Sequence, residues 1–432
     1  MINVELSNIW SCVSLPDLLS REKELFDAHL HLRSNKPGFP QYLGWLGQPD
    51  SLTARSLHAI RSAADAVRAN ADTLVVLGSC SAIQAAKAGL SLLLGPTRLR
   101  QGRPQILFAG DSFSGREWLD LCERLEGKSF CLLLVSPMGA EMETAVASRA
   151  VRWVMERRYG AETKGRIYVS ALPDTPMAVM AKEEGHVFLP MPTQPGGAYS
   201  ALTAATLLPL AAAGIDPLEV LEGAAEAYSQ YDLRAFENPV WMYAGARYAL
   251  YGKGRATELL GTFDPAFTAF GKWWAQWVCR HTCQDGVGVL PVPMELTGGL
   301  DALDLMIASG RYPLFETLLR FAPLSTQKIN VEMDWKDYDG LDYLAGRSVG
   351  EVEQAAYQAM LDTHAAGDVP VIVLEGETMT PAALGELFYF FELANAIFAC
   401  ACGIDPFDLP KVLPSRQAAA AILPASGASP QS

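Results

Sequence analysis

Thr73-Leu74-Val75-Val76-Leu77-Gly78 is a short apolar run that stops on a glycine, and the Ala-rich stretch from Ser81 to Leu94 that follows it is helical in character. The same unit returns downstream. Gln105 to Ala109 is a second run ending at a glycine, Cys131 to Val135 is a third, and a helix-like segment follows from Glu143 to Tyr159. Arg166 to Val169 and His186 to Leu189 add two more. A strand with one wet face alternates apolar and polar residues, whereas a strand covered on both faces reads as an unbroken apolar run. Runs of this kind alternating with helices predict a doubly wound parallel sheet with helices on both faces. Ligands of such sheets sit beyond the carboxyl ends of the strands. That rule draws attention to Gly78-Ser79-Cys80-Ser81-Ala82 and to Ser136-Pro137-Met138-Gly139-Ala140-Glu141-Met142-Glu143.

Outward from this core, residues 1–70 read as a helical N-terminal segment and 71–200 as a first α/β domain. Residues 201–284 read as a helical connection. A second α/β domain spans 285–400, with strands expected at Val287–Val292, Lys328–Met333 and Val371–Leu374. Its helices are expected at Leu300–Ser309, Val349–His364 and Pro381–Cys402. The tail, 401–432, ends in Ala, Pro and Ser. Two halves of similar design hint weakly at duplication.

The chain has 432 residues, 50% hydrophobic and 19% charged, with a net charge of −14. That composition is globular and the length suits two or three domains. The acidic balance argues against nucleic acid, which is bound by clustered Lys and Arg. No apolar run is read as a membrane span; Ala201 to Ile215, broken by Pro209 and Gly214, reads as a buried helix. The eight cysteines are scattered, as expected of reduced thiols in a cytoplasmic protein.

Collinear phrases from about residue 40 to 417 resemble the phosphoglucose isomerase family. They include Leu43-Gly44-Trp45, Gly196-Gly197-Ala198-Tyr199-Ser200, Glu237-Asn238-Pro239 and Trp273-Trp274. Leu314-Phe315-Glu316-Thr317, Asp339-Gly340-Leu341, Tyr389-Phe390-Phe391-Glu392 and Asp405-Pro406-Phe407-Asp408 continue the series. The resemblance implies two sugar-isomerase (SIS) domains, each a doubly wound parallel sheet, and a homodimer. It implies interconversion of glucose 6-phosphate and fructose 6-phosphate, a step of glycolysis and gluconeogenesis, with no cofactor.

That reaction moves a proton between adjacent carbons through an enediolate. It needs a carboxylate base, a cation near the enediolate oxygens and acid/base help in ring opening. The family's positions carry other residues here. Its base, a Glu in Gly-Glu-Ser-Glu, falls on Arg280, whose guanidinium accepts no proton. The Arg of Gly-Gly-Arg-Phe-Ser falls on Ala198. The ring-opening His falls on Asp301, ahead of the helix leading to Gly310, and the ring-opening Lys on Arg416. The phosphate loop Ser-Lys-Ser-Gly-Thr-Thr-Thr-Glu keeps only Ser136, Gly139 and Glu143, and Glu141 repels a phosphate. Gly78, Ser79 and Gly197 complete the expected binding positions.

Three readings follow. The first is a family scaffold with little or no standard isomerase activity that binds a sugar, a sugar phosphate or a related metabolite, or acts through protein contacts. The second is an isomerase for another, unphosphorylated substrate, with Glu141, Glu143 or Asp301 as base. The third is a metal or thiol role for Cys279, His281 and Cys283. Cys-x-His-x-Cys is not a standard zinc pattern, so packed thiols beside an exposed histidine are the default. His29, His31, His58, His186 and His364 are expected in surface or capping roles.

Overall fold

The computed structural model describes residues 1–33, 54–95, 102–137, 139, 141–192, 199–309, 311–322, 329–407 and 414–423. Two five-stranded sheets organise them. The first joins β2 (Thr73–Gly78), β3 (Gln105–Ala109), β4 (Phe130–Val135), β5 (Ile167–Ala171) and β6 (Val187–Pro190) in the order β3-β2-β4-β5-β6. All its pairings are parallel, with Thr73 opposite Gln105 on one side and Phe130 on the other. Residues of β2 and β4 are buried throughout, which is why both read as continuous apolar runs.

The second sheet contains β1 (Asn3–Glu5), β7 (Thr257–Thr262), β8 (Leu290–Glu295), β9 (Leu314–Phe321) and β10 (Val371–Gly376). Its order is β1-β10-β9-β7-β8. Its pairings are parallel except that β1 runs antiparallel to β10. Several expectations are corrected here. β1 lies in the stretch that reads as helical, and β7 in the stretch that reads as a helical connection. β9 is a strand where none is expected, and β8 starts three residues after the expected run. Of the expected strand ending at Met333, Lys328 lies outside the described residues and 329–333 form no sheet strand; Asn330 makes only an isolated bridge to Ser348. Pro291 and Pro293 are tolerated in β8 because it is an edge strand.

Helix starts follow their capping chemistry. Asp216, Asn238 and Thr380 each accept a backbone N–H from the first turn, and each precedes a proline at the first helical position. Ser348 and Glu351 form a reciprocal capping box. Ala204–Ala212 is wholly buried, as the apolar stretch around Pro209 predicts. Among the described residues one helix, Pro381–Ala401, is long and apolar enough to cross a membrane, contrary to the sequence reading. Its apolar window is 83% buried inside the protein, so it is the core helix here.

That helix is crossed closely by Pro217–Gln230. A Cβ on Gly385 would stand 1.8 Å from the Val220 carbonyl oxygen, and one on Gly223 would stand 2.0 Å from that of Ala382. Backbone cannot yield as a side chain does. Gly385→Ala is therefore expected to destabilise the protein by about 3 kcal/mol, the upper end for overpacking. Urea denaturation checks this, and a loss too small to resolve would contradict the close crossing.

Candidate functional site

The first sheet reverses its winding between β2 and β4. The chain moves from β2 to β3 on one side and from β4 to β5 on the other, which opens a crevice at the carboxyl ends of β2 and β4. Gly78 pairs with Val135 at that edge. A Cβ on Gly78 would lie 2.8 Å from the Val135 carbonyl oxygen, so the close strand approach requires glycine. Ser79 follows as the N-cap of helix Cys80–Leu94, and Ser136 follows β4.

Ser136 is held by its own N–H, which donates to the Ser170 carbonyl at 3.1 Å. Its hydroxyl donates to the Glu141 carboxylate, and both side chains are buried. Glu141 is the N-cap residue of helix Met142–Tyr159, and Glu143 sits half-buried in the first turn. Gly139 turns the loop with φ of +72°. Gly78, Ser79, Ser136, Gly139, Glu141 and Glu143 thus all lie at or just beyond the carboxyl ends of β2 and β4, with Ser136 and Glu141 in direct contact. A helix N-terminus favours negative charge, and here the chain's own carboxylate stands beside it.

Gly197 and Ala198 lie outside the described residues, as do Met138 and Ala140 of the loop. Arg416 belongs to helix Pro414–Ile422, with its side chain outside the description. Arg280 is exposed in the last turn of helix Thr268–His281, where a cation suits the helix C-terminus. Asp301 is not ahead of a helix: it lies inside Leu296–Ser309 and is exposed. That helix is capped instead by Glu295, which accepts from the N–H groups of Thr297 and Gly298 at 2.9 and 3.1 Å.

The metal version of the Cys-His-Cys reading finds no support among the described residues. His281 is buried, not exposed, beside Tyr199 and Trp277, with ring centroids 5.2 Å from Tyr199 and 4.7 Å from Trp277. Its Nδ1–H donates to the Pro406 carbonyl at 2.6 Å. Burial pushes its pKa down to about 3, helped by the Arg280 charge and opposed by the Pro406 bond. Cys283 donates to the Val289 carbonyl at 3.1 Å, while Cys279 is exposed. Among the described residues no group of three His, Cys, Asp or Glu side chains is placed to hold a metal ion.

Two other histidines are structural and buried, against the surface expectation. His29 Nδ1 accepts from Trp241 Nε1 at 2.8 Å, and burial holds its pKa down near 4. His364 lies between Glu316 (2.8 Å) and Asp304 (2.9 Å). Burial lowers its pKa, but the hydrogen bonds and charges of Glu316 and Asp304 outweigh it and leave the pKa above the ordinary 6.5. A raised histidine pKa stabilises the fold fully below the unfolded value, and that contribution disappears as pH rises through the folded value. His364→Gln is therefore expected to cost more stability at pH 6 than at pH 9. Equal losses by urea denaturation at both pH values would contradict the charged pairing.

A buried polar network beneath the second sheet has no counterpart in the sequence reading. Arg247 and Glu258 are fully buried; Arg247 Nη2 lies 2.7 Å from Glu258 Oε2. Tyr243 and Thr317 donate to Glu258 Oε1, and Arg247 donates to Asn395 Oδ1. Glu392, in the middle of the core helix, is buried as well, and burial raises its pKa well above the carboxylate range.

Two mostly parallel sheets flanked by helices, the first with a switch point between β2 and β4, define a two-sheet doubly wound α/β class of protein. The comparisons agree. A crystal structure of a hypothetical protein from Thermus thermophilus superposes with a TM-score of 0.82 at 21% identity, covering 95% of this chain and 97% of that one. A glucose-6-phosphate isomerase from Chlamydia trachomatis gives 0.79 at 14% identity, covering 98% and 88%. No protein-family model matches the chain. The glucose-6-phosphate isomerase of Clostridium perfringens (strain SM101) is 31% identical over 417 residues, covering 95% of this chain and 92% of its own length. That of Bacillus cytotoxicus is 33% identical over 379 residues, covering 86% and 84%. The chain belongs to the glucose-6-phosphate isomerase family.

Proposed function

We propose that this family member has lost the standard isomerisation and that its β2–β4 crevice binds an unphosphorylated polar metabolite of the sugar class. The observation that carries the reading is the buried Glu141 carboxylate, held by the Ser136 hydroxyl beside the N-terminus of helix Met142–Tyr159. A phosphate brought to that point would face a carboxylate in a poorly solvated place, where like charges repel strongly. A neutral polyol or an amino sugar would instead meet acceptors it can hydrogen-bond.

Arg280 supports the loss of isomerisation, since no guanidinium abstracts the substrate proton. If the crevice does turn over a substrate, Glu143, half-buried in the first turn of the same helix, is the carboxylate best placed to act as base. The reading is of a cytoplasmic homodimer, in keeping with the family resemblance.

A thermal-shift screen tests it, using free sugars, amino sugars and sugar phosphates, each phosphate compared with inorganic phosphate at equal concentration. Stabilisation by a free or amino sugar is the expected result. Stabilisation confined to sugar phosphates, beyond that given by inorganic phosphate, would overturn it.

A further inference from the structure

At the opposite end of the first sheet from the crevice, a surface pocket of about 310 Å³ collects three guanidinium groups. Arg61 and Arg68 come from helix Ala54–Asn70, and Arg103 from the turn just before β3. Across from them lie Gly214 and Asp216, between the buried helix Ala204–Ala212 and helix Pro217–Gln230.

Each guanidinium is fixed differently. Arg61 donates to both oxygens of Asp216 at 2.6 and 2.8 Å. Arg68 is held by Asp65 and by the Ala211 carbonyl. Arg103 lies across Gly214: a Cβ there would stand 2.9 Å from its Nε. Gly214 has φ of +89°, so the backbone conformation and the absence of a side chain both suit glycine. Asp216 and Asp65 offset two of the charges. Arg103 forms no ion pair with a carboxylate among the described residues.

We infer that this pocket is a binding site for a small multivalent oxyanion, held chiefly by the forked N–H groups of Arg103, with Arg61 and Arg68, fixed by Asp216, Asp65 and the Ala211 carbonyl, beside it. Planar guanidinium forks match phosphate and carboxylate oxygens in geometry as well as charge. The pocket is a local positive exception on a chain of net charge −14. Two of its three arms are already immobilised, so little side-chain freedom remains to be lost on binding. The volume suits a pyrophosphate or a tricarboxylate rather than a polymer. A bound anion would bridge helix Ala54–Asn70 to the connection before helix Pro217–Gln230, and so stabilise the fold without touching the crevice.

The test is isothermal titration of the full chain with pyrophosphate and with citrate, at an ionic strength held constant with sodium chloride. One saturable site per chain is expected, equally in wild type and Glu141→Ala. Arg103→Glu is expected to weaken it on the order of tenfold or more, the scale of losing a charge-assisted hydrogen bond. Arg103→Ala gives the same comparison should the charge reversal not fold. No saturable binding, or binding unchanged by both Arg103 substitutions, would overturn the inference. Binding lost in Glu141→Ala but kept in the Arg103 variants would place the anion in the crevice and overturn it too. Because the two sites are altered separately, this result is independent of the reading of the crevice.

Discussion

Fructose 6-phosphate is expected to turn over at least about 10⁴-fold more slowly on this chain than on its Clostridium perfringens relative, since a positioned general base alone contributes 10²–10⁴. The loss does not rest on one position. The family resemblance puts the base at Arg280, which is exposed at a helix end, and the ring-opening histidine at Asp301, which is exposed within a helix. By the same resemblance, Ala198 and Arg416 stand at the remaining catalytic positions. Each of these roles is chemically distinct, so restoring one leaves the others missing. Arg280→Glu alone is accordingly expected to leave turnover at the background. A coupled assay run beside the relative measures this, and a rate within about 100-fold of that enzyme would mean that some other carboxylate serves as base.

Glu258→Ala is expected to destabilise the protein by about 3–5 kcal/mol, because it leaves the Arg247 charge buried without its partner. Both side chains are fully buried, so solvent cannot screen the lost charge. The change also strands the hydroxyls of Tyr243 and Thr317, which donate to the same carboxylate oxygen. Replacing both ends of the pair, in Arg247→Met with Glu258→Leu, should recover much of the loss, since a well-packed apolar pair is often no worse than a buried ion pair. Urea denaturation of the two variants gives the comparison. A single variant within about 1 kcal/mol of wild type would show that water reaches the site and that the network is not closed.

The same pair explains which parts of the fold are legible in the sequence. Every strand of the first sheet is an apolar run with no charged residue inside it, so β2 to β6 can be found within a residue or two. β7 hides behind Glu258, whose charge makes Thr257–Thr262 look like connection rather than core. Glu258 becomes a core residue only when Arg247 arrives from the preceding helix, and pairing of that kind has no local signal. β9 is masked in the same way by Glu316, which meets His364 from another helix. The expected run Val287–Val292 stops one residue before Pro293, and only the edge position of β8 permits a strand through both Pro291 and Pro293. At the site, the glycine and serine positions follow from the rule for strand ends. The burial of His281 does not, because the Tyr199 ring and the Pro406 carbonyl that enclose it are distant in sequence.

The proposed loss of phosphate recognition depends on Glu141 holding the place that an anion would otherwise take. Its most direct test is calorimetric titration of glucitol and of glucitol 6-phosphate into two proteins that both carry Arg103→Ala so that the distal pocket is silent, one with Glu141 as in wild type and one with Glu141→Ser. The protein with Glu141 should bind the phosphorylated compound no more tightly than the free one, and Glu141→Ser should shift the preference toward phosphate by on the order of tenfold. Tighter binding of glucitol 6-phosphate by the protein with Glu141, unchanged in Glu141→Ser, would contradict it.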